Sequence, residues 1–288
     1  MKHVAEFPKA ILTSWLLVMW SYLVPVPAHA GHAGVSVLHT YAHSLGHEID
    51  NAIAVDAATL APLLPAGYVA LPASALGVGG PDEGIVAIVN FEGLDPVTDN
   101  RPPGKENRVA IDVGILVSEP AQAAAAGLSF ASAFHFYTLA MYSNDAPYFA
   151  SLRSADMPIE FVPKLAYVWQ VDNAGSGQLA VDVPARRSPF TTFNAALGYM
   201  ATGSLHAIFR HNGGHGTTAL HFDIPVFRQA NAFGRVYTEP GNVLATLITG
   251  GGLGPCTPDP VTGFSCVATP SLGFSFDNGN TGQLLSIR

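Results

Sequence analysis

Runs of apolar, β-branched and aromatic residues recur along this chain, and around one glycine-rich turn polarity alternates with a period of two, a pattern that predicts strands. Residues 84–91, 108–118 and 133–142 are rich in Val, Ile, Phe and Tyr, side chains that suit a pleated, largely buried surface. Residues 167–171 and 178–183 flank Asn173-Ala-Gly-Ser-Gly177, where glycine can take positive φ, and predict a hairpin. Residues 204–211 and 217–226 predict a second one, with alternating polarity on both sides of Asn212-Gly-Gly-His-Gly216. Between the first two strands, residues 95–107 are polar and contain Pro102-Pro103-Gly104, which cannot continue a ladder. One stretch has the helical period instead. Asp56 is placed to cap a short helix that puts Leu60, Leu63 and Leu64 on one face and stops at Pro65 and Gly67. Residues 250–288 are dense in Gly, Pro, Ser and Asn and predict a loop-rich tail with one or two short strands. The expected class is α+β and mostly antiparallel β, a barrel or two-layer sheet with a few short helices.

The beginning of the chain departs from this pattern. Lys2 and Lys9 precede the apolar residues 10–26, and Pro27-Ala-His-Ala30 then supplies the small-residue ending that signal peptidase cuts. These features predict a signal peptide over residues 1–30 and a secreted or periplasmic protein whose single domain spans residues 31–288. An uncleaved anchor is the alternative, although the apolar run is short for a bilayer span. After cleavage no membrane association is expected. Composition narrows the partners: 49% of the 288 residues are hydrophobic and 12% charged, which is ample for a core. With Lys+Arg at 13 against Asp+Glu at 21, the net charge of −8 leaves no basic footprint for nucleic acid.

The two cysteines, Cys256 and Cys266, stand close together in a Pro/Gly-rich segment, and in an exported chain they predict a disulfide. Histidines cluster twice. His39, His43 and His47 recur every fourth residue, so a helix would gather them on one face, where they could hold a transition metal or form a packed or solvated polar stretch. His206, His211, His215 and His221 straddle the second hairpin, and His206, His221 and Asp223 are the candidates there for a metal site, but neither group has a recognised ligand spacing. The chain has no G-x-S-x-G elbow, H-E-x-x-H pair, Walker A loop or dinucleotide glycine fingerprint. No metal and no cofactor are expected.

Past residue 30 there are two lysines. Lys105 stands in the polar loop and reads as a solvated charge. Lys164 has Phe161, Val162, Pro163, Leu165 and Tyr167 for neighbours, so a segment entering a core would carry its ammonium inward, and desolvation would favour a free amine able to attack a carbonyl. The same side chain can instead lay its stem on apolar surface and reach water or Glu160.

Four segments share an order with a known family. They are Val55-Asp56-Ala-Ala-Thr-Leu60-Ala-Pro-Leu63-Leu64-Pro65-Ala-Gly67, the strand over residues 85–91, Glu106-Asn-Arg-Val109-Ala-Ile111-Asp-Val113, and Phe161-Val-Pro-Lys164-Leu165. The last is similar to an aromatic-x-Pro-Lys-Lys-Leu segment, and together, over residues 50–245, they resemble the acetoacetate decarboxylase family. The resemblance implies that family's barrel and makes Lys164 the Schiff-base nucleophile. It makes Glu106 the carboxylate that orients substrate or moves protons, with a weaker claim for Glu92, and puts Phe161 beside the substrate. Arg153 or Arg210 would hold a substrate carboxylate. Leu165 stands where the family has a second lysine, and Arg153-Ser-Ala-Asp156 replaces its Arg-Glu-x-x-Gly lead-in. The implied function is a carbon-carbon lyase acting on a small keto acid or other carbonyl compound, by decarboxylation or a related cleavage or aldol step. The alternative is a non-catalytic secreted barrel that binds an apolar small molecule, its pocket lined by Phe134, Phe136 and Tyr137. Further copies of the chain are the other possible partner. A Lys164 that points into a closed cavity favours the first function, and one that points to solvent favours the second.

Overall fold

The structure, a computed structural model, describes residues 36–102, 104, 106–118, 133–184, 190–238, 243–250, 266–268, 272–278 and 281–287. The expected signal peptide and Cys256 lie outside them, so the cleavage site and the disulfide are outside the described residues.

Strands β1 (Ser36–His43), β2 (Leu45–Asp56), β3 (Glu83–Leu94), β4 (Val97–Thr98), β5 (Arg108–Val117), β6 (Phe134–Ser143) and β7 (Ile159–Phe161) are followed by β8 (Ala166–Val171) and β9 (Ser176–Val183). The remaining strands are β10 (Phe190–Gly213), β11 (Gly216–Thr238), β12 (Cys266–Ala268), β13 (Leu272–Asn278) and β14 (Thr281–Ile287). All belong to one sheet, and the pairing is antiparallel except where β6 meets β7 and β10. Helices α1 (Ala57–Leu60), α2 (Ala146–Ser154) and α3 (Val243–Gly250) are short. Among the described residues no helix is long and apolar enough to cross a membrane. The expected class, mostly antiparallel β with a few short helices, is what the chain forms.

Pairing runs round a closed circuit. β2 pairs with β3, β3 with β5, β5 with β6, β6 with β10, β10 with β11, β11 with β13, and β13 with β2 again. Both faces of the central staves are covered. All ten positions of β5 are buried, which is why its sequence reads as a continuous apolar run. β8, by contrast, ends the pairing path, and its positions alternate between exposed and half-buried. One apolar cluster lies inside the circuit around Val89, Leu116, Phe136, Phe209 and Phe222, and another covers the opposite face around Ile88, Ile111, Ile115 and Val181.

Both predicted hairpins form. In the first, Gly175 takes φ 83 in the turn before Ser176, the conformation for which a glycine was expected. In the second, β10 and β11 join at Gly213 and Gly216, but they extend to 24 and 23 residues, far beyond the predicted arms. Asp56 caps α1 as expected, its carboxylate accepting the Ala58 N–H.

The helix that the histidine spacing allows does not form, and the histidines lie in a packed polar stretch. Residues 36–56 form β1 and β2, because this stretch gains more from pairing with β14, β3 and β13 than a glycine-containing helix with β-branched residues would gain alone. His39 bonds Asp99 at 2.8 Å, His43 packs on Phe91, and His47 stacks on Trp169 with ring centroids 4.5 Å apart. The tail is also more ordered than predicted, since β12, β13 and β14 all join the sheet.

Candidate functional site

A cavity of about 110 Å³ lies inside the circuit. Its wall is mainly apolar, with Val89 from β3, Leu116 from β5, Phe136 from β6, Phe209 from β10, and Phe222 and Phe227 from β11. The rings pack on one another: Phe136 stacks on Phe209 with centroids 4.6 Å apart, and Phe209 meets Phe222 edge-on. A bulge in β11 shapes this wall. Leu205 pairs with Ile224 and Gly203 with Phe227, so β11 spends one residue more than β10 across the interval. The alternation changes phase there, and Phe222, Ile224, Phe227 and Gln229 all line the cavity. Gly203 leaves room for the Phe227 ring, since a Cβ there would stand 3.0 Å from its Cζ.

One end of the cavity is polar. Glu48 and Asp50 are two residues apart on β2 and so share a face. Gln229 lies level with Glu48, since both pair with Phe276 of the intervening β13. Glu48 is 5% exposed and Gln229 4%, while Asp50 is half-buried with its Oδ1 shut off from solvent. Burial pushes Glu48 up to about 7, partly offset by a hydrogen bond with Asp50. Asp50 rises well above the ordinary carboxylate value through burial first, then the nearby Glu48 charge and the hydrogen bond between them. A hydrogen bond between the two carboxyls requires that one of them hold a proton, which both upward shifts favour. Asp112 of β5 is pushed up to about 8 by burial and by Glu48. Asp50 Oδ1 and Gln229 Oε1 have no hydrogen-bond partner among the described residues. Buried acceptors of this kind are normally satisfied.

None of the residues carried over from the family resemblance lines this cavity. Lys164 is exposed in the turn after β7, because Pro163 and Lys164 form a surface bend while Val162 and Leu165 beside them take the buried positions. It does not line the cavity. The expectation that its segment would carry the ammonium inward is corrected accordingly. Glu106 and Arg153 are exposed, and Phe161 is 38% exposed. Glu92 is half-buried outside the cavity. Burial opposes its ionisation, but hydrogen bonds from His47 and Asn107 outweigh this and hold its carboxyl below the ordinary value. Arg210 is buried and lies 2.6 Å from His135 Nδ1. Of the aromatic residues proposed for a binding pocket, Phe134 and Phe136 line the cavity, whereas Tyr137 packs with Tyr68 and His211. Among the described residues no group of three or more His, Cys, Asp or Glu side chains is placed to hold a metal ion.

Glu48, Asp50, Asp112 and Gln229 were not anticipated. The signal available was acids at alternate positions of an otherwise apolar segment, Glu48-Ile-Asp50-Asn-Ala-Ile53, and a lone acid inside Val109-Ala-Ile-Asp112-Val-Gly-Ile115.

No family model and no curated protein matches this sequence. The chain is similar to several solved structures, three of which follow. One comes from structural studies of acetoacetate decarboxylase (TM-score 0.46, 13% identity, covering 90% of this chain and 88% of that one). Another is an acetoacetate decarboxylase-like enzyme from Sphingomonas wittichii RW1 (TM-score 0.47, 9% identity, covering 91% and 95%). The third is the enduracididine biosynthesis enzyme MppR with HEPES buffer bound (TM-score 0.44, 12% identity, covering 91% and 96%).

Proposed function

We propose that this chain binds a small, mostly apolar molecule in the cavity inside the circuit, with one polar group of that molecule at the Glu48, Asp50 and Gln229 end. The reading rests on one observation: a cavity lined by Phe136, Phe209, Phe222 and Phe227 ends in buried acceptors that no described residue satisfies. Its volume of about 110 Å³ suits a compact ring, since apolar cavities near 150 Å³ take up benzene. The Schiff-base lyase keeps the support of the Pro163-Lys164-Leu165 resemblance, but it needs the Lys164 amine in a closed site, and Lys164 is exposed outside this one. Export, with cleavage after Ala30, is part of the proposal and rests on the apolar run and its small-residue ending.

Ligand-observed NMR with cyclopentanol tests the binding. Saturation transfer that disappears in Ala207→Phe, a variant that fills the cavity, is the expected result. Absence of transfer to the wild-type protein rejects the reading. Intact-mass measurement after borohydride treatment with a keto-acid panel tests the lyase directly, and an adduct on Lys164 would restore it.

A further inference from the structure

The polar end of the cavity has an excess of acceptors and negative charge. Glu48 and Asp50 line it, Asp112 is buried in the same row of the sheet as Asp50, and no Lys or Arg is among its lining residues that the structure describes. Gln229, 4% exposed, adds an amide oxygen without a partner among the described residues. An acidic cluster alone would be a weak indication, but Gln229 Oε1 comes from a different strand and lacks the same thing, a hydrogen-bond donor. A ligand that satisfies these two acceptors must donate to each of them. The wall adds a second preference, because the faces of aromatic rings attract cations.

We propose, building on cavity binding, that the ligand is a small cyclic or branched primary amine bound as its ammonium ion, held by the Glu48 carboxylate, Asp50 Oδ1 and Gln229 Oε1. An ammonium has three N–H donors and no acceptor, which matches three acceptors at one end of a cavity. Taking a lone ammonium out of water is expensive, and the negative Glu48–Asp50 pair offsets that cost. The hydrocarbon part of the amine lies among Phe136, Phe209, Phe222 and Phe227. A ketone would bring only acceptors to this end, and a carboxylate would add a like charge. Binding also displaces protons, since a cation favours the ionised acids. The titratable groups that take part are Glu48 and Asp50 on β2 and Asp112 on β5.

The test is a series on one ring, with cyclopentylammonium, cyclopentanol, cyclopentanone and cyclopentanecarboxylate titrated calorimetrically into the full chain at pH 7. Cyclopentylammonium is expected to bind at least tenfold more tightly than cyclopentanone, with proton release seen as a dependence of the heat on buffer ionisation enthalpy. Glu48→Gln should remove most of that preference while cyclopentanol still binds, and Gln229→Leu should reduce it separately, so the outcome does not depend on one variant folding. Cyclopentanone or the carboxylate binding as tightly as the amine overturns the inference and leaves cavity binding standing. Failure of every ring compound to bind overturns both.

Discussion

Asp50 of β2 and Asp112 of β5 stand in one row of the sheet, each the register partner of Val89 on the strand between them. With strands about 4.8 Å apart, the two backbones are separated by roughly 10 Å. Such acids are tolerated beside each other because burial raises both carboxyls and so favours their neutral forms.

The first prediction follows from that protonation. Asp112 titrates at about 8 in the folded protein against an ordinary 3.8, so between these values the folded chain holds a proton that the unfolded chain has lost. Its contribution is fully present below pH 4 and disappears as pH rises through 8, at about 1.4 kcal/mol per pH unit for a single group. Urea midpoints should therefore fall from pH 5 to pH 8. In Asp112→Asn the slope should be visibly shallower, and the variant should be the more stable protein at pH 8. A steeper slope in the variant would contradict the assignment.

The second concerns Arg108, which is 1% exposed. Its Nε donates to Asp145 Oδ2 at 2.7 Å, its Nη2 donates to Thr98 Oγ1, and its guanidinium lies over the rings of Tyr41 and Tyr148. Asp145 also caps α2 by accepting the Tyr148 N–H. Arg108→Met should cost about 3 to 5 kcal/mol, since it leaves Asp145 without its partner, whereas Arg108→Met with Asp145→Asn should recover part of the loss. Denaturant titration of the two variants reads this directly.

The third is Phe209→Ala. It removes the ring between Phe136 and Phe222 and should cost about 3 to 5 kcal/mol while enlarging the cavity. Binding of ligands larger than cyclopentanol should improve relative to wild type, as measured by calorimetry on the folded fraction.

The fourth is a variant expected to do little. Lys164→Ala at an exposed turn should change stability by less than about 0.5 kcal/mol and leave ligand affinity unchanged. Loss of binding in this variant would return attention to the lysine.

Much of the sheet was legible because strands buried on one or both faces announce themselves in composition. β3, β5 and β6 fall within a few residues of their predicted ends, and both hairpins carry turn glycines. β1 and β2 were missed because every-fourth spacing of His39, His43 and His47 is compatible with a helix face and equally with alternate strand positions, and partners such as Asp99 and Glu92 lie far along the chain. α2 was missed for lack of length, although Asp145 and Pro147 are a sound start signal. The site was the least legible part. A lysine in an apolar neighbourhood attracts attention, yet Val162 and Leu165 supply that apolarity while the Pro163–Lys164 bend turns outward. Glu48 and Gln229 meet only through the register of β13, which no local pattern specifies.

That dependence on β13 has a temporal meaning. Leu272 of β13 pairs with Ala52 of β2, and every other stave of the circuit lies between them in the sequence. A chain emerging from the ribosome can form the β2–β3 and β10–β11 hairpins early, but the two strand edges that β13 joins stay open until residues 272–278 arrive. Up to that moment Glu48 and Gln229 face water from opposite sides of a gap, and the chamber has no closed end. The proposed ligand capture thus depends on a strand that is synthesised after nearly all of the core.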